Sequence, residues 1–162
     1  MEAISIGKTR FHITEFEQFR GEIIYESLFS KKAEIKIGDD LYKIKPTGIF
    51  ETFISVTRNE KVIVKLKMNW RGQVIFDFIE QSKYIMKIKN SFYNKYTIEN
   101  EEGIILIQFE PKFNWNESSF IYDITYYSNR VNILLVILGI YVSNHFIASM
   151  SGAIPLEKTT NH

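Results

Sequence analysis

The run ILLVILGIYV, residues 133–142, decides what this chain can fold into. Gly139 is its one position that is not a large apolar residue, and no Asp, Glu, Lys or Arg occurs from Val131 to Leu156. Wound as a helix, the run is apolar on every side. Such a helix is buried either in protein or in lipid. A membrane span wants about 20 predominantly apolar residues, and the unbroken run is about half that. Asn144 and His145 would fall near mid-span, where polar groups are costly unless paired. Arg130 and Lys158 flank the segment singly, without the cationic cluster that orients a span. The segment is therefore read as a core helix over 131–150, with a bilayer span over 131–152 as the alternative.

Surrounding such a helix takes either more helices or a closed sheet, and the rest of the chain reads as strands. From residue 33 onward, short β-branched and aromatic stretches alternate with turn residues. Expected strands are 33–37, 41–45, 50–57, 61–68, 73–79, 84–89, 96–99, 104–110 and 120–127. Gly38-Asp39-Asp40, Arg58-Asn59-Glu60, 69–72 and 100–103 supply turns, and Pro46 and Pro111 are read as strand stops. The first thirty residues are ambiguous. Strands at 11–17 and 22–29 compete with a helix through Phe16, Phe19 and Ile23.

The hexads LYKIKP (41–46), IVKLKM (63–68), IMKIKN (85–90) and LIQFEP (106–111) recur at spacings of 22, 22 and 21. Each interval fits one hairpin, which points to an up-and-down meander. A barrel that holds a helix needs more than about eight strands. A helix of about 20 residues is roughly 30 Å long, and tilted strands of about seven residues cover most of it. Burying about ten large side chains contributes roughly 15 to 30 kcal/mol before entropy costs. The expected fold is mainly β: a closed antiparallel barrel of about ten to twelve strands around a hydrophobic C-terminal helix. It forms a single domain over 1–155, followed by a polar tail over 156–162. Apolar residues at 45% of 162 suffice for that core and exclude a disordered chain.

The layout resembles the tubby-like C-terminal superfamily, which includes the LURP-one-related proteins and the phospholipid scramblases. The residues that carry the likeness are IGDDLYKIKPTGIFETFISVTRNEKVIVKLK (37–67), with its Tyr42-x-Ile44-x-Pro46-x-Gly48 core, and the helix ILLVILGIYVSNHF (133–146). It covers residues 30–148 and is closest in kind to small, single-domain bacterial members. The resemblance implies the barrel around a helix. It implies lipid binding less directly, because the chain has no cysteine for lipidation, no D-x-D-x-D-G calcium loop and no alignable basic pair.

The same lack of cysteine removes disulfides, thiol nucleophiles and zinc-thiolate sites. No H-E-x-x-H, Gly-rich phosphate loop or G-x-S-x-G is present. The histidines are His12, His145 and His162. Ser143, Ser149 and Ser151 near His145 allow a Ser–His pair on paper, but the reading preferred is a helix exit whose polar groups satisfy one another or the rim. Asp39-Asp40 reads as a turn and not a metal site. Asn116-Glu117-Ser118 matches a glycosylation acceptor, and Trp70 and Trp115 are read as core or rim aromatics at strand ends. No catalytic residue, cofactor or metal is nominated. A net charge of +1 and the lack of a groove-reading element argue against nucleic acid.

One surface feature is sharper. Lys43 and Lys45, Lys65 and Lys67, and Lys87 and Lys89 are spaced by two, so each pair shares a strand face, with Ile44, Leu66 and Ile88 pointing inward. The six lysines are the candidate lipid- or anion-binding residues. The competing reading is a solvated exterior on which Asp77, Glu99 or Asp123 stand across from them. The expected function is a non-enzymatic barrel that binds an anionic membrane surface or a protein partner. MEAISIGKTR has no apolar run of a secretory signal, so the expected location is cytoplasmic, peripheral at the membrane. The alternatives are a membrane-anchored β-domain and a carrier of an apolar ligand, the latter needing the helix outside the barrel. A charge at Leu135 or Ile137 unfolds a core helix but merely releases an anchor.

Overall fold

The computed structural model describes residues 1–28, 30–48, 53–90, 95–117, 119–129 and 131–150. The strands are β1 (Glu2–Ile6), β2 (Arg10–Glu15), β3 (Gln18–Tyr25), β4 (Ala33–Ile37), β5 (Asp40–Thr47) and β6 (Phe53–Arg58). They continue as β7 (Lys61–Met68), β8 (Val74–Phe78), β9 (Lys83–Asn90), β10 (Lys95–Asn100), β11 (Ile105–Asn114) and β12 (Ser119–Tyr126). One helix follows, α1 (Ile133–Met150). Every strand pairs antiparallel with its chain neighbours, and β1 closes on β12 through Glu2↔Asp123, Ala3↔Tyr122 and Ile4↔Ile121.

Alternation builds the wall. In β4, Ala33 and Ile35 are buried while Glu34 and Lys36 are exposed, and β5 repeats this with Tyr42 and Ile44 against Lys43 and Lys45. A membrane-spanning barrel has the inverse pattern, with an apolar outer band and a polar interior. The inward rows meet α1, whose Leu134 to Leu138 and Ile140 to Ser143 are all buried, so the helix is enclosed all round. No helix among the described residues is long and apolar enough to cross a membrane. Asn132 caps α1, its Oδ1 accepting from the Leu134 amide at 2.8 Å.

The helix sits close to β3 and β11. A Cβ on Gly21 would stand 3.0 Å from Ile137 Cδ1 and 2.9 Å from the Lys36 carbonyl oxygen. Consecutive turns project from opposite ends of an up-and-down barrel. The turns after β2, β4, β6, β8 and β10 lie at the end where α1 begins, here called the floor. The turns after β1, β3, β5, β7, β9 and β11 lie at the other end, the mouth, where Tyr141, midway along α1, donates to the Lys31 carbonyl at 2.7 Å.

The first thirty residues form β1, β2 and most of the β3 hairpin, so a helix through Phe16, Phe19 and Ile23 is not formed. Phe16 and Glu17 instead make the β2–β3 turn. The prolines do not stop strands. Pro46 pairs with Ile54 inside β5, and Pro111 with Tyr122 inside β11. Both lie past the last pair with the other neighbour, Ala33↔Ile44 of β4 and Tyr96↔Phe109 of β10. A residue without an N–H is tolerated where one side of the strand has no ladder to complete. Residues 50–52 of the strand expected over 50–57 and the 156–162 tail lie outside the described residues.

Candidate functional site

The barrel brings the lysine pairs to one side of its outer wall, on every second strand. Lys43, Lys45, Lys65, Lys67 and Lys89 are exposed, and Lys87 is half-buried. Ile44 and Leu66 point inward as the alternation demands, at 2% exposure each, but Ile88 is 40% exposed at the mouth. The register puts Lys45, Ser55 and Lys65 in one row across β5, β6 and β7. Strands are about 4.8 Å apart, so the two lysines are separated by roughly 10 Å with a serine, not a carboxylate, between them.

Of the expected opposing carboxylates, Glu99 pairs with one of the six lysines, while Asp77 and Asp123 engage other residues. Asp77 stands across from Lys65 but lies 4.0 Å from Lys83 Nζ. Glu99 accepts from Lys87 at 2.6 Å, so Lys87 leaves the candidate set. Asp123 is on β12, remote in the barrel order from β5, β7 and β9, and it pairs with Lys112. Glu34 is the register partner of Lys43 without an ion pair. Lys65 lies 5.3 Å over the Phe53 ring. Among the described residues no ion pair forms at Lys43, Lys45, Lys65, Lys67 or Lys89.

The interior polar groups gather where α1 nears the mouth. Asn144 Nδ2 donates to the Tyr25 hydroxyl at 2.7 Å, and the Tyr122 hydroxyl donates to Asn144 Oδ1 at 2.6 Å. Tyr25 stacks on Tyr141 at 6.0 Å, and Tyr96 on Phe146 at 5.8 Å. His145 meets Tyr141 edge-on at 4.4 Å. The Tyr96 and Ser143 hydroxyls and His145 Nε2 have no hydrogen-bond partner among the described residues. Burial holds the Tyr25, Tyr122 and Tyr141 phenols protonated far above their ordinary range and pushes Tyr96 up to about 12. Burial first, and the nearby Lys31 charge second, pull His145 down to about 4. The cluster is thus neutral near pH 7. Of the polar groups expected to satisfy one another or the rim at the helix exit, Asn144 does so through Tyr25 and Tyr122, whereas the Ser143 hydroxyl and His145 Nε2 do not among the described residues; Ser151 and His162 lie outside the described residues.

Elsewhere, His12 lies on the outer wall beside Glu22 and edge-on to Phe19. Asp40 pairs with Arg58 beside its hairpin. No cluster of three or more metal-ligating side chains occurs among the described residues. A cleft of about 210 Å³ opens at the floor beside Arg20, Tyr126 and the first turn of α1. Glu15 in that cleft already takes Arg20 and the Tyr126 hydroxyl. Asn116 and Glu117 sit in the β11–β12 turn, while Ser118 of the same motif is outside the described residues.

Of the two expected places, the tryptophans take the rim and not the core. Trp70 and Trp115 occupy mouth turns at 88% and 84% exposure. The signal was available in Asn69-Trp70-Arg71-Gly72 and Trp115-Asn116, where the indole sits among turn formers and outside the alternating rows.

Fold and site together define a closed β-barrel filled by its own helix, with a lysine face outside and a neutral polar cluster within. No protein-family model, curated protein or solved structure matches the chain.

Proposed function

We propose that the chain is a non-enzymatic binding module that meets an anionic lipid surface as a peripheral cytoplasmic protein. The observation that supports this is the lysine face. Lys43, Lys45, Lys65, Lys67 and Lys89 project from one side of the barrel with no ion pair among the described residues. Each lysine near an anionic membrane surface is worth about 1 kcal/mol. The same charges facing only water repel one another. The filled interior favours a surface mode of action over a carrier, since α1 takes the space an apolar ligand needs. The likeness of residues 37–67 and 133–146 to the tubby-like layout belongs to this proposal and rests on sequence alone.

Flotation of the full chain with vesicles tests it. The expected result is recovery with anionic vesicles at low salt, release at high salt, and none with neutral vesicles. Changing Lys43, Lys45, Lys65, Lys67 and Lys89 to Gln abolishes recovery. Lys87 is left in place so that Glu99 keeps its partner. A chain that never floats overturns the lipid reading and leaves an acidic protein surface as the partner to seek.

A further inference from the structure

The barrel sorts the charges of its turns by end. At the floor, the five hairpin turns carry the exposed carboxylates Glu17, Asp39, Glu60, Glu80, Glu101 and Glu102, with no Lys or Arg among them. At the mouth, the described turns expose Lys8, Lys31, Lys32 and Arg71 against Glu26 and Glu117. Lys45, Lys67 and Lys89 also lie toward the mouth ends of β5, β7 and β9. The molecule is therefore electrically polarised along its axis, cationic at the mouth and anionic at the floor.

The mouth carries a second, independent feature. The chain has two tryptophans, and both are at mouth turns, at 88% and 84% exposure. Met68 at 57% and Leu28 at 52% stand exposed at the same end. The Arg71 guanidinium lies 4.9 Å over the Trp70 ring, and Trp115 packs edge-on against Phe113 at 4.6 Å. Indole beside cation is the pairing that suits the headgroup layer, where one end of the ring is apolar and the other wet. Exposed apolar residues at the floor, such as Phe16 and Ile104, stand instead among carboxylates that an anionic surface repels.

We infer that the barrel docks end-on, mouth first, on an anionic bilayer, with Trp70 and Trp115 seated in the headgroup layer and Lys8, Lys31, Lys32 and Arg71 against the anionic headgroups. This rests on the anionic-surface reading above and adds which end makes contact. The axial polarity turns the mouth toward a negative surface and the floor away from it. Lys45, Lys67 and Lys89 then flank the contact, and Lys43 and Lys65 stand one pleat back. Side-on docking through the lysine face alone leaves both indoles in water.

The intrinsic tryptophan emission of the full chain tests this without a label, because both reporters sit on the mouth. The probes are phosphatidylcholine vesicles with and without phosphatidylserine, and the same lipids brominated on the acyl chain. The expected result is a blue shift and quenching with the anionic vesicles, in the native chain and in each single-tryptophan variant, Trp70→Phe and Trp115→Phe. Trp70→Ala with Trp115→Ala weakens vesicle partitioning about tenfold or more. Changing Lys31, Lys32 and Arg71 to Gln weakens it roughly a hundredfold. Glu17→Gln with Glu80→Gln at the floor does not weaken it. All these side chains are exposed, and circular dichroism confirms that each variant folds. Vesicle binding with unchanged emission and no effect of the alanine pair overturns end-on docking and leaves the lysine-face reading standing. No binding to anionic vesicles overturns both.

Discussion

Phe109 of β11 packs its ring onto the backbone of Gly139 in α1, so closely that a Cβ there would lie 2.2 Å from the ring's Cζ. Helix propensity alone favours alanine over glycine by about 1 kcal/mol. The contact reverses that sign, because the ring is fully buried and must shift before a Cβ fits. Gly139→Ala is expected to lower stability by about 1–3 kcal/mol, the range for overpacked cores. Phe109→Leu, itself destabilising, is expected to relieve part of the cost when combined with it, giving a non-additive double-mutant cycle in denaturant unfolding. A Gly139→Ala chain more stable than the native one contradicts the close packing.

His145 makes stability depend on pH through a single buried ring. Its folded pKa is pulled to about 4 by burial and then by Lys31, against an ordinary 6.5. Between those values the unfolded chain binds a proton that the folded chain refuses. Stability is thus fully present above about pH 6.5 and falls as pH drops toward about 4, by up to about 3 kcal/mol. Carboxylates also titrate near the lower limit, so the quantity to measure is a difference. Urea midpoints of the native chain and of His145→Gln are compared across this window. The variant is expected to lose less stability on acidification. Equal slopes mean that the imidazole is hydrated in the folded state.

What could be read from the sequence follows what local physics determines. β4 and β7 are legible to the residue because turn formers bound both, with alternation along β4 and from Val64 to Lys67 in β7. The helix is legible because an all-round apolar run has few places to go. β1 is not, since EAISI carries small Ala3 and Ser5 and its pairing with β12 spans nearly the whole chain. The facing of the lysines follows from the period of two. Their neighbours do not, because register decides that Ser55 and not a carboxylate separates Lys45 from Lys65. The partner of Gly139 is hidden for the same reason. The charge polarity lies between these cases. Once the chain is read as a meander, every second turn belongs to one end, and the carboxylates of turns 16–17, 38–39, 59–60, 79–82 and 101–104 add up without further structure.

The β2–β3 turn offers a test that joins stability to docking. Phe16 and Glu17 both take positive φ, 49° and 63°, in a two-residue hairpin turn of the kind that Asn-Gly fits best. A bulky residue in this conformation costs roughly 1–2 kcal/mol, and Phe16, at 91% exposure, recovers little by burial. Phe16→Asn with Glu17→Gly is expected to raise stability by about 1–2 kcal/mol, read as a higher denaturant midpoint. The turn lies at the floor, the end that mouth-first docking keeps in solution. The same variant is therefore expected to bind anionic vesicles as the native chain does, with the same tryptophan blue shift. A stabilised variant that no longer binds places Phe16 at the contact and reverses the orientation of the barrel on the membrane.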